Sequence, residues 1–257
     1  MYLQKFDLSG RRAVVTGGAQ GIGAACADAL AEAGASVVIA DLDLALAEEK
    51  SATIKAAGGM AEARHLDVTD SAAVEALAEA LEAVGGTDIL INNAGIVQSL
   101  MPAEDCPDDH WRRHMAINLD GVFFCARSFG RRMLARRRGA IVNMGSMSGI
   151  IVNKPQEQSF YNASKAGVHQ LTKSLAAEWG GRGVRVNAVA PTVIETELVS
   201  RVLKDIPEME KIWLDMTPMN RLGRPDEIAS VVLFLASDAS SLMTGAIVSA
   251  DAGYTCW

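Results

Sequence analysis

What most constrains this chain is an alternation that runs along its whole length. Seven apolar runs of strand length stand at Arg12–Thr16, Ser36–Ala40, Ala61–Leu66, Asp88–Asn92, Ala140–Met144, Val184–Val189 and Ala246–Ala250. Between them lie helical patterns: Ile22–Ala33, Leu44–Ala57, Ala72–Val84, Asp108–Arg137, Ser159–Gly180 and Pro225–Ala236. Several strand runs are almost unbroken Val and Ile, as suits strands covered on both faces. Helix starts agree, with Asp70-Ser71 before one pattern and Pro225-Asp226-Glu227 opening another. Strand–helix alternation implies right-handed crossovers. The fold expected is α/β, a single Rossmann-type domain over 1–257 whose doubly wound parallel sheet of about seven strands has helices on both faces. Thr192–Gly223 interrupts the pattern. It has no strand and contains Pro207 and Pro218, and it reads as a mobile substrate lid (192–223) over the strand ends, where such sheets bind ligands.

Charge and cysteine usage narrow the function. The net charge is −7, which argues against nucleic acid as the main partner. The one basic run, Arg131-Arg132 and Arg136-Arg137-Arg138, ends a helical pattern, where cations complement the helix dipole, so it reads as a solvated terminus. Cys26, Cys106, Cys125 and Cys256 are scattered without metal-ligand or disulfide spacing. Met1–Gly10 carries no leader or transit pattern. Reduced thiols in a cytoplasmic protein are expected. No apolar run approaches a membrane span, so no membrane partner is expected.

Three motifs carry chemistry. Thr16-Gly17-Gly18-Ala19-Gln20-Gly21-Ile22-Gly23 lies between the first strand and the first helix. Glycines there permit a tight turn and let backbone amides approach a pyrophosphate on the helix N-terminus. Asp41 ends the second strand, where a carboxylate accepts from adenosine ribose hydroxyls and repels a 2′-phosphate. Gln20 occupies the place an arginine would need to neutralise such a phosphate, so NAD is expected rather than NADP. Asp41 also reads as a helix N-cap before Leu44, a role compatible with the first. Finally, Tyr161 and Lys165 are four apart on a helix and share a face. A fixed ammonium favours the phenolate and makes the phenol a usable base.

TGxxxGxG, Asn92-Asn93-Ala94-Gly95, Ser146 and YxxxK occur in that order. Together they resemble the short-chain dehydrogenase/reductase family over essentially the whole chain. The resemblance implies a seven-stranded sheet and a homotetramer, with Asp108–Arg137 and Ser159–Gly180 at the main dimer interface. It implies a catalytic tetrad of Asn118, Ser146, Tyr161 and Lys165, with Ser146 steadying the substrate oxygen and Asn118 holding a relay water. For the cofactor it implies Gly17, Gln20, Gly21, Ile22, Gly23, Asp41, Leu42, Asp67, Val68, Asn93, Ala94 and Gly95. Tyr161 and Lys165 join these, as do Pro191, Val193, Ile194 and Thr196. Thr192 stands where the family usually has glycine, and a β-branched residue restricts φ there. The stretch Gly149–Phe160 lengthens the usual gap between Ser146 and Tyr161 and widens the substrate loop. Ser148, Asn153, Gln156, Thr192 and Trp213 are the substrate-contact candidates, and no metal is expected.

Within the family the chain is similar to bacterial polyol dehydrogenases of the galactitol type. The carrying segments are Gly145–Gly149, Ile151–Asn153, Val168–Leu171, Trp213–Met219 and Gly253–Trp257. The reading is an NAD-dependent oxidoreductase interconverting a secondary alcohol (a polyol, sugar alcohol or diol) and its ketone. Two alternatives are a 3-oxoacyl-carrier-protein reductase using NADPH, against which Asp41 and Gln20 count, and a non-catalytic NAD-binding regulator, against which the intact tetrad counts. His110 and His114 read as surface helix residues, His169 as packed at a subunit interface, and His65 as without a role. Met209, Met216 and Met219 read either as a pliable lid or as core filling.

Overall fold

The seven apolar runs become β1 (Arg12–Thr16), β2 (Ser36–Asp41), β3 (Met60–His65), β4 (Ile89–Asn92), β5 (Gly139–Met144), β6 (Val184–Pro191) and β7 (Ile247–Ala250). The computed structural model describes residues 1–98 and 100–257. In it these strands form one sheet in the order β3-β2-β1-β4-β5-β6-β7, every neighbouring pair parallel. The helices are α1 (Gly21–Glu32), α2 (Leu44–Ala56), α3 (Ser71–Glu82), α4 (Asp108–Met115), α5 (Gly121–Arg136), α6 (Ser159–Trp179), α7 (Glu197–Asp205), α8 (Glu208–Asp215) and α9 (Pro225–Ala236). Strand and helix ends move by a residue or two from the sequence reading.

Alternate side chains of each strand feed opposite faces. Ala13, Val15, Val37, Ile39, Ile89 and Ile91 pack with α1, α2 and α9. Val14, Val38, Leu90 and Ile141 pack with α3, α5 and α6, where Phe129, Met133 and Trp179 fill the second core. Local chemistry sets where the helices begin. Asp70 accepts from the Ala72 and Ala73 amides at 2.9 and 3.0 Å. At α9, Pro225 takes the first position and Glu227 reaches back to the Arg224 amide at 2.9 Å. No helix among the described residues is long and apolar enough to cross a membrane.

The structure corrects several readings. The pattern Asp108–Arg137 is not one regular helix, because a π-helical turn at Ala116–Asp120 separates α4 from α5. The basic run does end α5, with Arg131, Arg137 and Arg138 exposed as a solvated terminus would be, but it also carries ion pairs that the sequence did not show. Arg132 pairs with Glu75 at 3.0 Å and Arg138 with Asp88 at 2.6 Å, while Arg136 pairs with Glu82. These arginines tie α5 to α3 and to the start of β4. The segment read as an insert over the strand ends lines the cleft there, holds no named strand among the described residues, and carries α7 and α8. Its ends are clasped by Glu195 donating to the Gly223 carbonyl at 2.8 Å and Gly223 donating to that of Val193 at 3.0 Å. Met209, Trp213 and Leu222 form its own small core, so Met209 is core filling, whereas Met219 is exposed. Pro207 stands at the mouth of α8, where a missing N–H costs nothing, so it opens a helix there.

His114 is fully buried rather than on the surface. Its ring stacks 4.4 Å from that of His110 and 4.5 Å from that of Phe160. All four cysteines are free, and burial pushes the Cys26 and Cys125 thiols up to about 12.

Phe129 is among the largest side chains buried in the α5 face of the core. Phe129→Ala should lower stability by about 3–5 kcal/mol in urea denaturation.

Candidate active site

Sheet order reverses between β1 and β4, and a crevice opens outside the carboxyl ends of strands at such a point. There a cleft of about 880 Å³ extends from Asp41 and Leu42 at the end of β2 to Trp213 on α8. Of the residues expected at a cofactor, substrate or reaction site, all line this cleft except Gly23 and Asn118. Both exceptions lie directly behind its wall. A Cβ on Gly23 would sit 2.0 Å from the Gly17 carbonyl oxygen, so the first turn of α1 is folded tightly under the loop.

The glycine loop is held from two sides. The Asn93 amide donates to the carbonyls of Thr16 and Gly17 at 3.1 and 2.8 Å. Thr16 Oγ1 accepts from the backbone of Asn93 and Ala94, both at 3.1 Å. On the other side Asp41 accepts from the Ala19 amide at 3.0 Å. Asp41 is not the helix cap that the sequence allowed. Asp43 takes that role, accepting from Leu46, because it is the residue immediately before α2. Gln20, at the mouth of α1, makes no side-chain cap, so the first amides of that helix are left to the cleft. Gly17 and Gly21, at φ +60 and +56, take the left-handed backbone that side chains resist. A helix terminus with open amides, a loop of this shape and a carboxylate at the end of β2 fit a dinucleotide.

At the other end of the cleft α6 presents Tyr161 and Lys165 on one face. Lys165 is buried, donates to the Met144 carbonyl at 2.8 Å and lies 5.7 Å from the Tyr161 ring centre. Burial pulls its ammonium down from the ordinary 10.5 to about 8. Burial also pushes the Tyr161 phenol up, offset in part by the Ser146 hydroxyl. Ser146 Oγ accepts from the Ser148 amide at 3.1 Å. Asn118 sits within the π-helical turn, where the widened backbone accommodates an inward polar side chain. It accepts from the Ile96 amide at 2.8 Å and donates to the Ile96 carbonyl at 2.9 Å and to Ser164 Oγ at 3.2 Å.

Beyond Ser146 the widened loop forms a polar wall. Ser148 donates to Asn153 Oδ1 at 2.9 Å, and the Gln158 amide donates to Ser148, Asn153 and Asn162. Gln156, with its amide oriented by its neighbours, accepts from Trp213 Nε1 at 2.9 Å. Sequence reasoning missed Gln158 and Arg113, which also line the cleft. A polar residue three positions before Tyr161 was the available signal for Gln158, and Arg113 had none. His169, read from the sequence as packed at a subunit interface, is already buried within this one chain, under the Ser146 turn.

A cleft of this form in a doubly wound sheet is the frame of a nicotinamide-dependent oxidoreductase. The chain belongs to the short-chain dehydrogenase/reductase family: the family model described as enoyl-(acyl carrier protein) reductase matches residues 17–255. It is 57% identical over 258 residues to galactitol 2-dehydrogenase of Rhizobium johnstonii, covering 100% of this chain and 99% of that one. The L-tagatose-forming galactitol 2-dehydrogenase of Cereibacter sphaeroides is 50% identical, at 100% and 99% coverage. The crystal structure of gox2181 matches with a TM-score of 0.98 at 52% identity, over 100% of both chains.

The depressed ammonium gives a stability signature. A lysine lowered on folding binds its proton less readily in the native state, so stability rises with pH between the two values. Relative to Lys165→Met, the unliganded wild type should gain about 3 kcal/mol as pH rises from about 8 to 10.5, measured by urea denaturation across that range.

Proposed function

We propose that this protein is an NAD-dependent polyol dehydrogenase that interconverts a secondary alcohol and its ketone, with Tyr161 as general base and acid. The observation that carries the reading is the convergence of Ser146, Tyr161 and Lys165 beside a buried wall of hydroxyl and amide groups. Such a wall suits a substrate with several hydroxyls and penalises one that leaves those groups unpaired. The galactitol 2-dehydrogenases to which the chain is similar favour a hexitol.

Gly17, Gln20, Gly21 and Ile22 would hold the pyrophosphate, and Asp41 the adenosine ribose. Lys165 and Asn93–Gly95 would hold the nicotinamide half. A bound oxidised nicotinamide supplies the hydride acceptor and a positive charge that favours the Tyr161 phenolate. Tyr161 then takes the hydroxyl proton, and Ser146 donates to the substrate oxygen as charge develops on it. Asn118, bonded to the backbone beyond Gly95, keeps the nicotinamide wall and α6 in one frame and is suited to holding a relay water. Asp41 has uncharged neighbours in Gln20 and Leu42, which favours NAD over NADP. The proposal extends to assembly, since exposed Trp111 and Phe123 on α4 and α5 favour a second copy against that face.

Initial rates of NAD+ reduction across hexitols, pentitols, tetritols and simple diols test the reading. Turnover should be greatest on a hexitol, and failure on every polyol would refute it. Tyr161→Phe should lower kcat by about 10²–10⁴-fold while dinucleotide binding, followed by fluorescence, persists. Asp41→Ala should narrow the preference for NAD+ over NADP+ by about tenfold or more, read as the ratio of kcat/KM values.

A further inference from the structure

His169 lies one helical turn beyond Lys165 on α6, and none of the steps above uses it. Its ring fills space left by two glycines. A Cβ on Gly145 would stand 2.3 Å from His169 Nε2, and one on Gly149 would stand 2.7 Å from its Cε1. The turn between those glycines carries Ser146 and Ser148. His169 therefore sits as a wedge under the turn that presents the Ser146 hydroxyl to the cleft.

The wedge is polar at the point of contact. The Ser146 backbone N–H donates to His169 Nε2 at 3.4 Å, its one acceptor among the described residues. A ring nitrogen that accepts carries no proton, so the imidazole is neutral with its hydrogen on Nδ1. The surroundings agree. Burial and the Lys165 and Lys173 charges pull the imidazole down to about 4, against the pull of the Gly149 carbonyl upward. A charged ring would also place a second cation beside buried Lys165.

We propose that His169 is a positioning residue, a neutral wedge whose Nε2 holds the Ser146 amide and thereby aims the Ser146 hydroxyl at the substrate oxygen. The proposal rests on the dehydrogenase reading for its kinetic consequence. Volume alone would not require an acceptor here: a leucine fills similar space but leaves the buried Ser146 N–H unpaired. Glutamine places an amide oxygen near the position of Nε2.

The test compares His169→Leu and His169→Gln with wild type on the polyol the wild type turns over fastest. It is joined to ¹⁵N NMR of the histidine rings in the unliganded protein. His169→Leu should lower kcat by about 10–10²-fold without changing the KM for NAD+, and His169→Gln should restore most of that loss. The ring signal lost in His169→Gln should be the neutral Nδ1–H form near neutral pH. Equal kcat in wild type and His169→Leu, or a glutamine variant no better than leucine, would overturn the proposal. So would a ring protonated on Nε2. Should the wild type oxidise no alcohol, the dehydrogenase reading fails, while the NMR arm still decides whether His169 accepts from Ser146.

Discussion

Parallel pairing of β1 with β4 is the constraint on which the site depends. The register sets Thr16 beside Asn92, so the glycine loop and the Asn93–Gly95 stretch leave the sheet at one level. Asn93 then reaches back to the loop it faces. From Asn92 a buried chain of amides continues sideways. Asn92 donates to Asn143 on β5 at 2.9 Å, Asn143 to Thr172 on α6 at 2.9 Å, and Thr172 to the Val168 carbonyl at 2.8 Å. Thr172 is two turns along from Lys165. Apolar packing alone tolerates small slips, whereas a chain of directional bonds in a low dielectric does not. Both ends of the cleft are thereby held to one frame.

Within that frame burial sets the charges. It moves Tyr161 up and Lys165 down, so both shifts favour the neutral forms. The hydroxyls and carbonyls around them are already engaged: Met144 with Lys165, Ser164 with the Tyr161 carbonyl, and Ser146 with the Ser148 amide. The reacting groups therefore need little reorganisation of the protein when a charge develops, which is the condition for electrostatic catalysis.

Much of this was legible in the sequence, and for a local reason. The glycine loop, Asp41 and the Tyr161–Lys165 pair declare themselves by spacing within one or two elements. The alternation of Val/Ile runs with helical patterns declares the sheet. What was hidden depends on contacts distant in sequence or on backbone detail. Nothing before Asn118 announces a π-helical turn. Pro207 looks like a break and is instead a helix opening. His169 reads as one more residue on an amphipathic helix until Gly145 and Gly149, twenty or more positions away, are seen to leave room for its ring. Asp43 took the capping role allowed to Asp41, a shift of two residues that no composition argument resolves.

The hydrogen bond from Trp213 to Gln156 joins α8 to the loop after β5. The far wall of the pocket is therefore assembled from two stretches of chain that leave the sheet at different strands. Neither stretch carries Tyr161 or Lys165, and only the second is continuous with Ser146. Exchange of side chains in either one can reshape what the pocket admits while the proton-handling pair on α6 stays as it is. One scaffold can in this way diversify across many alcohols by altering its wall and keeping its chemistry.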